Sequence, residues 1–405
     1  MNSLLVPIVF GAVYVGMILG GIPGLRMDRT GVALLGAILL LASEALSPEQ
    51  ALLAQDAPTL SLLFGLMVVS AQMSLGGFYG WLTARVSCSS LAPGSLLAAV
   101  IALSGGLSSL LTNDVVCLAI APLLLNLCSQ RGINPVPQLL ALACAANVGS
   151  AATLIGNPQN ILIGEQLSLS FVRYLIVAAP VVLLSLVVVW LVIYWVYRHD
   201  FVGCPRVQEA TTQPFDRWQT TKGLVVLVLI TIGFLSNAWP RDLIALIGAG
   251  VLLMSRQFHN RDIVRHVDWP LLVLFVSLFI VNDAFAQSGQ MERLVAFGAS
   301  HGIDLSNPAL LFLVTPILSN LVSNVPAVML LLPLVDTSTS LSGILLALSS
   351  TLAGNLIIVG SIANIIVVET AGHAGLKIDV WTHARVGVPI SIITLVLTAA
   401  WLAIL

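Results

Sequence analysis

Charge is what this sequence has least of. Lys and Arg number 16 and Asp and Glu 18 among 405 residues, 8% in all, against a hydrophobic share of 58%. Soluble domains carry about 25% charged residues. So thin a polar shell cannot cover so much apolar surface, which excludes an ordinary soluble enzyme and makes lipid part of the solvent. The net charge of −2 gives no electrostatic footprint for nucleic acid. Lysine is nearly absent. Lys222 follows Thr221 and Lys377 follows Leu376, so neither completes the Gly-Lys of a phosphate-binding loop, and no Asp-Lys-Thr phosphorylation motif occurs. Any work the chain does is driven by an ion gradient or by a separate ATPase subunit. The cysteines (Cys88, Cys117, Cys128, Cys144, Cys204) show no C-x-x-C spacing and read as small apolar fillers. All six histidines fall in expected loops. No cofactor and no protein-held metal centre is expected, with Na⁺ at hairpin tips left open.

What is present is a series of apolar runs. Met1–Ser3 carries no Lys or Arg, so residues 4–22 read as a first span and not as a secretory signal. Further spans are expected at 30–48, 57–77, 137–165, 170–197, 223–239, 242–255, 268–288, 342–368 and 384–404. The stretches 91–128 and 307–338 are too long for one span and polar at their centres. Read as re-entrant hairpins, they leave thirteen of the 16 basic residues on the cytoplasmic side. Only Arg173, Arg241 and Arg293 then lie outside, the bias that the positive-inside rule requires. The N-terminus is then extracytoplasmic.

The two halves resemble each other. Asp56-Ala57-Pro58 aligns with Asp268-Trp269-Pro270 at an offset of 212, and Thr112-Asn113 aligns with Ser323-Asn324 at 211. Gly156, Asn160 and Glu165 align with Gly360, Asn364 and Glu369 at 204, and Pro180 with Pro389 at 209. Loop 49–56 carries no Lys or Arg, whereas its counterpart 256–267 carries Arg256, Arg261 and Arg265. Equivalent loops therefore face opposite sides. The expected fold is an all-α polytopic membrane protein, an inverted-topology repeat with about ten spans, two re-entrant helical hairpins and two broken helices. It divides into a first span and cytoplasmic loop (1–29), repeat 1 (30–197, hairpin 91–128, broken helix 137–165), a linker and connector span (198–240), and repeat 2 (241–405, hairpin 307–338, broken helix 342–368). Inverted repeats place a site near the midplane, built from broken helices.

Four polar clusters interrupt the apolar background: 111–115, 147–160, 319–326 and 354–364. Hydrocarbon satisfies neither their side chains nor the backbone freed at Gly, Asn and Pro, so they belong beside protein or a solvated cavity. Their Asn and Ser residues are expected to cap the next half-helix. Asp114 is the one acid at the centre of such a cluster, where an ionised carboxylate costs at least about 2.5–3.5 kcal/mol. It reads as an H⁺ or Na⁺ coupling site, with a hairpin-tip cap as the alternative. Asp283 and Asp336 are placed nearer the outer surface, and Glu165 and Glu369 at span ends within reach of water.

Thr112-Asn113-Asp114, Gly156-Asn157-Pro158-Gln159-Asn160-Ile161, Ser323-Asn324-Val325-Pro326 and the run from Ala353-Gly354-Asn355 to Gly360-Ser361-Ile362-Ala363-Asn364 resemble the ArsB/NhaD branch of the ion transporter superfamily. That branch includes bacterial ArsB-like permeases and plant silicon efflux transporters. The resemblance spans about residues 30–400. It implies a bacterial inner-membrane permease, with a scaffold around a transport core of two hairpins and two broken helices. It also implies substrate-facing Thr112, Asn113, Asn157, Asn160, Ser323, Asn324, Ser361 and Asn364, and ion coupling by Asp114 with Asn147, Gly156, Asn355 and Gly360. The second hairpin departs from arsenite pumps in reading Ser-Asn-Val-Pro instead of an Asn-Asn pair. Asp114 departs from the divalent-anion sodium symporters, which carry Thr there.

The leading expectation is a secondary transporter, H⁺- or Na⁺-coupled, exporting a small oxyacid such as arsenite, antimonite or silicic acid. A Na⁺-coupled carboxylate or sulfate importer and a Na⁺/H⁺ antiporter are the alternatives, and a non-transporting membrane scaffold is the reading from another class. Expected partners are the solute, H⁺ or Na⁺ and the lipid bilayer, with a homodimer and an ATPase subunit left open.

Overall fold

The computed structural model describes residues 2–22, 24–87, 92–201, 215–301, 304–336 and 339–405. Cys88, Cys204 and Arg206 lie outside these residues. Among them every regular element is a helix. In chain order they are α1 (Asn2–Leu19), α2 (Arg29–Ala42), α3 (Pro48–Leu53), α4 (Ala57–Leu75), α5 (Phe78–Ser87), α6 (Pro93–Ser108), α7 (Asn113–Arg131), α8 (Pro135–Ser150), α9 (Pro158–Gln166) and α10 (Phe171–Val196). The second half continues with α11 (Arg217–Ser236), α12 (Arg241–Leu253), α13 (Asn260–Arg265), α14 (Trp269–Gln287), α15 (Gln290–Ser300), α16 (Pro308–Val322), α17 (Asn324–Leu331), α18 (Ser340–Ala353), α19 (Ile362–His373) and α20 (Val380–Leu402).

Six of these are long and apolar enough to cross a membrane: α4, α7, α10, α11, α14 and α20. Others are shorter because polar residues interrupt them. Stretch 137–165 is two helices, α8 and α9, parted at 151–157, and stretch 342–368 is α18 and α19, parted at 354–361. Stretch 91–128 breaks between α6 and α7 at 109–112. Stretch 307–338 breaks at one residue, Ser323, whose φ of 79° and ψ of 160° fall where almost only glycine settles without strain.

Side chains fix many of the helix starts. Asp56 and Asp268, the repeat-matched pair, each accept from the backbone N–H three residues on and begin α4 and α14. Asp28, Ser170, Asp216 and Asp379 begin α2, α10, α11 and α20 in the same manner, and Asn307 begins α16 by accepting from the N–H of Ala309, two residues on. Asp216 starts α11 at Arg217, six residues before the expected connector span. Asp379 starts α20 at Val380, which corrects the expectation for His383. That residue is in the first turn of a helix and buried, not in a loop.

α4 packs on α11 and α12, and α2 packs on α14 and α1. α8 lies among α6, α7, α10 and α19, while α18 packs against α16 and α20. Cys117, Cys128 and Cys144 are free thiols buried within this second group.

Candidate functional site

The four breaks meet. Asn113 and Asp114 from α7, Pro158 and Gln159 from α9, Ser323, Asn324 and Val325 at the start of α17, and Ser361 and Ile362 at the start of α19 line a single cavity. Its volume is about 20 Å³, room for about one water-sized group. Every lining residue belongs to the first turn or the cap of a half-helix, so four helix N-termini converge. Each contributes backbone N–H groups without intrahelical partners and the positive end of its dipole.

One of these N-termini is capped. Asn157 accepts from the backbone N–H of Asn160 at 2.9 Å. The other three, at Thr112, Ser323 and Ser361, have no side-chain cap, which corrects the expectation that Asn and Ser at each break cap the next half-helix. The reason is visible at Ser361, whose hydroxyl donates to Asn147 Oδ1 at 2.7 Å. A buried helix start without a cap awaits another acceptor. Asp114, at the start of α7, shares the cavity lining with the open start of α19. Among the described residues no Lys or Arg lines the cavity.

Behind the cavity an amide network joins the breaks. Asn113 Nδ2 donates to Asn147 Oδ1 at 3.0 Å, and Asn147 Nδ2 donates to Asn355 Oδ1 at 2.8 Å. Several bonds recur at an offset of 204. Asn160 Nδ2 donates to the carbonyls of Ser150 and Thr153 at 3.4 and 3.1 Å, and Asn364 Nδ2 to those of Gly354 and Ile357 at 2.8 and 3.3 Å. Asn147 Nδ2 donates to Asn364 Oδ1 at 3.1 Å, and Thr351 Oγ1 to Asn160 Oδ1 at 3.1 Å. Asn157 Nδ2 donates to Thr351 Oγ1 at 3.1 Å, the counterpart of the Ser361–Asn147 bond. The last two sets cross between the halves, so each broken helix is held by the other half. With its amide oriented to satisfy its neighbours, Asn324 donates to Gly360 O and Ser350 O and accepts from Gln159 Nε2, each at 3.2 Å.

Of the residues singled out from the sequence, Asn113, Asp114, Ser323, Asn324 and Ser361 line the cavity. Thr112 is the buried residue before them. Asn147, Asn157, Asn160, Asn355 and Asn364 stand behind it with their amides engaged in the protein. Gly156 and Gly360 sit in the breaks where a side chain has no room. A Cβ on Gly156 would run into the backbone of Ser150 and Ser108, and one on Gly360 into the Asn320 amide.

Sequence reasoning missed Thr351 and the supports Tyr174 and His383. Tyr174 accepts from Asn160 Nδ2 at 3.1 Å and donates to Ala151 O at 2.9 Å, and His383 Nε2 contacts Asn355 O at 2.9 Å. Thr351 could have been found, since it is the offset-204 mate of Asn147. Glu165 is a correction. It does not project into water but pairs with Arg241 at 2.9 Å, both side chains being mostly buried. Arg241 also donates to Gly164 O at 2.8 Å and Leu169 O at 3.1 Å, tying the end of α9 to the start of α12. Asp283 borders a separate cavity of about 330 Å³ between α9, α14 and α17.

The sequence and its fold have relatives. An uncharacterized transporter of Mycobacterium tuberculosis is 30% identical over 404 residues, covering 93% of this chain and 94% of that protein. The silicon efflux transporter LSI3 of Oryza sativa is 27% identical (97% of this chain, 95% of that protein), and a putative transporter arsB of Dictyostelium discoideum is 21% identical (92% and 87%). Among solved structures, the YdaH transporter of Alcanivorax borkumensis superposes with a TM-score of 0.57 at 16% identity, covering 100% of this chain and 98% of that one. The profile of the CitMHS family, described as citrate transporter, matches residues 14–344. With that match running over most of its length, the chain belongs to the CitMHS family of the ion transporter superfamily, and it is a multi-pass membrane transporter.

Proposed function

We propose that the protein is a secondary transporter, coupled to H⁺ or Na⁺, that exports a small, weakly charged oxyacid such as arsenite, antimonite or silicic acid through the cavity at the four breaks. One observation carries this reading. Three uncapped helix N-termini, three amides and two hydroxyls border the cavity beside one carboxylate, with no fixed cation among the described residues. Such a lining can hydrogen-bond the OH groups of an undissociated acid, while a dianion would meet Asp114 with no Lys or Arg to offset it. Asp114 is the group that would take the proton or the Na⁺. The inverted repeat supplies the geometry, with hairpins 91–128 and 307–338 returning to their own sides and the broken helices crossing between them. The hydrogen bonds repeated at offset 204 support that symmetry.

A carboxylate importer is the second reading. It is favoured by the family's description as citrate transporter and by four helix N-termini directed at one point, an arrangement that suits anionic oxygens. Purified protein in proteoliposomes, with imposed pH or Na⁺ gradients, separates the two. Gradient-driven flux of arsenite or silicate is the expected outcome. Robust citrate or sulfate flux with neither oxyacid moving would overturn the first reading in favour of the second.

A further inference from the structure

Away from the breaks, a second concavity lies where α11 begins and α12 ends. It has a volume of about 350 Å³ and is lined by Trp218, Gln219, Lys222, Met254, Ser255, Arg256 and Gln257. Among the described residues its lining carries two cations and no carboxylate. Asp216, two residues before Trp218 in the chain, is engaged in capping α11 through the Gln219 N–H at 3.0 Å. The floor is rigid. Gln219 accepts from Gln72 of α4 at 2.8 Å and donates to Gln257 at 2.6 Å. Lys222 Nζ donates to the carbonyls of Leu252 and Met254 at 3.2 and 3.0 Å, which leaves its third N–H for a ligand.

The surroundings of this concavity are apolar on one side. Trp218 is 68% exposed and Met254 74%. From Trp218 an exposed stripe runs along α11 through Val225, Val228, Leu229 and Ile232, and from Met254 another runs along α12 through Val251 and Ile247. The two helices pack together. Both apolar stripes therefore lead to the one basic concavity, with an amphipathic Trp at the junction, where such rings settle between headgroups and hydrocarbon.

We propose that this concavity binds the phosphodiester headgroup of an anionic phospholipid, with the acyl chains lying along the α11 and α12 stripes. Charge complementarity selects the headgroup, and the stripes select a lipid over a free anion. Basic pockets between transmembrane helices hold anionic headgroups on this principle. The site is independent of what the protein transports.

Fluorescence quenching in nanodiscs tests it. The Trp218 component is the difference between the wild type and Trp218→Phe. Brominated phosphatidylglycerol is expected to quench that component at several-fold lower mole fraction than brominated phosphatidylcholine. Replacing the exposed Arg256 by Gln should lower the preference about fivefold, equivalent to about 1 kcal/mol for one cation near a membrane surface. Arg256→Lys should retain it. Equal quenching by the two lipids would overturn the proposal. So would loss of the preference on adding millimolar inorganic phosphate, which would mark a free-anion site. Trp218 untouched by either lipid would do the same, since a second copy of the chain would then cover the stripes.

Discussion

Helix starts at the perimeter of this molecule differ from those at its centre. At the perimeter Asp28, Asp56, Ser170, Asp216, Asp268, Asn307 and Asp379 close their own helices with a side-chain oxygen. At the central cavity Thr112, Ser323 and Ser361 leave theirs open. α6, α12, α13 and α18 start without a side-chain cap elsewhere, so the contrast is one of clustering. At the breaks, uncapped starts from different parts of the chain line one cavity. The same residue types stand in both places, and what differs is how their oxygens are used. Perimeter oxygens stabilise the fold. The Ser361 hydroxyl at the centre is committed instead to Asn147 and does not close its own helix.

The hardest blow to this contrast is Asp114→Asn. If Asp114 couples transport to a gradient, flux falls to background while the protein elutes and melts as before. If it merely complements the α7 dipole, worth about 0.3–1 kcal/mol, flux stays at the wild-type level. The break glycines come next. Gly156→Ala drives a methyl into backbone at Ser150 and Ser108, whereas Gly360→Ala meets the end of the Asn320 side chain. The first should cost about 1–3 kcal/mol of stability, within the usual range for overpacking, and the second less. Equal losses in thermal melts would show that the repeat-related sites are packed alike.

A perimeter cap is a milder test. Ser170→Ala removes the acceptor for Arg173 N–H and should lower stability by about 1 kcal/mol, leaving flux per folded molecule unchanged. A fall in flux would tie the perimeter to the centre. Smallest is the effect at Asp379. The Thr382 side chain, then its backbone N–H, hold that exposed carboxyl below its usual range. A lowered folded value means a contribution fully present at neutral pH and lost as pH falls through the ordinary carboxylate value and below. Asp379→Asn should flatten the acid limb of a melting-temperature profile, and an unchanged limb would assign it to other carboxylates.

Much of the centre was legible in the sequence because lipid leaves few other uses for Gly-Asn-Pro-Gln-Asn in an apolar run. The breaks at 151–157, 323 and 354–361 follow from that reasoning. The use of each side chain was less legible. The resemblance implies that Asn160 and Asn364 face the solute, yet their amides hold the loops of their own breaks, because freed carbonyls at 150, 153, 354 and 357 need donors. His383 was misplaced because Asp379 starts α20 four residues before the expected span at 384. Glu165 was misjudged because its partner, Arg241, lies on another helix, and nothing local announces a pair of that kind.

That pair sets a mechanical condition. Arg241 grips the last turn of α9 through the Glu165 carboxylate and the Gly164 carbonyl, and the chain just beyond it through the Leu169 carbonyl, and the first turn of the same short helix borders the cavity. Any motion that draws α9 away from α12 must release all three contacts together. Stranding one partner of a buried pair costs about 3–5 kcal/mol, so such a motion would proceed as a discrete click between two positions, with its rate governed from the end of α9 opposite the one that borders the cavity.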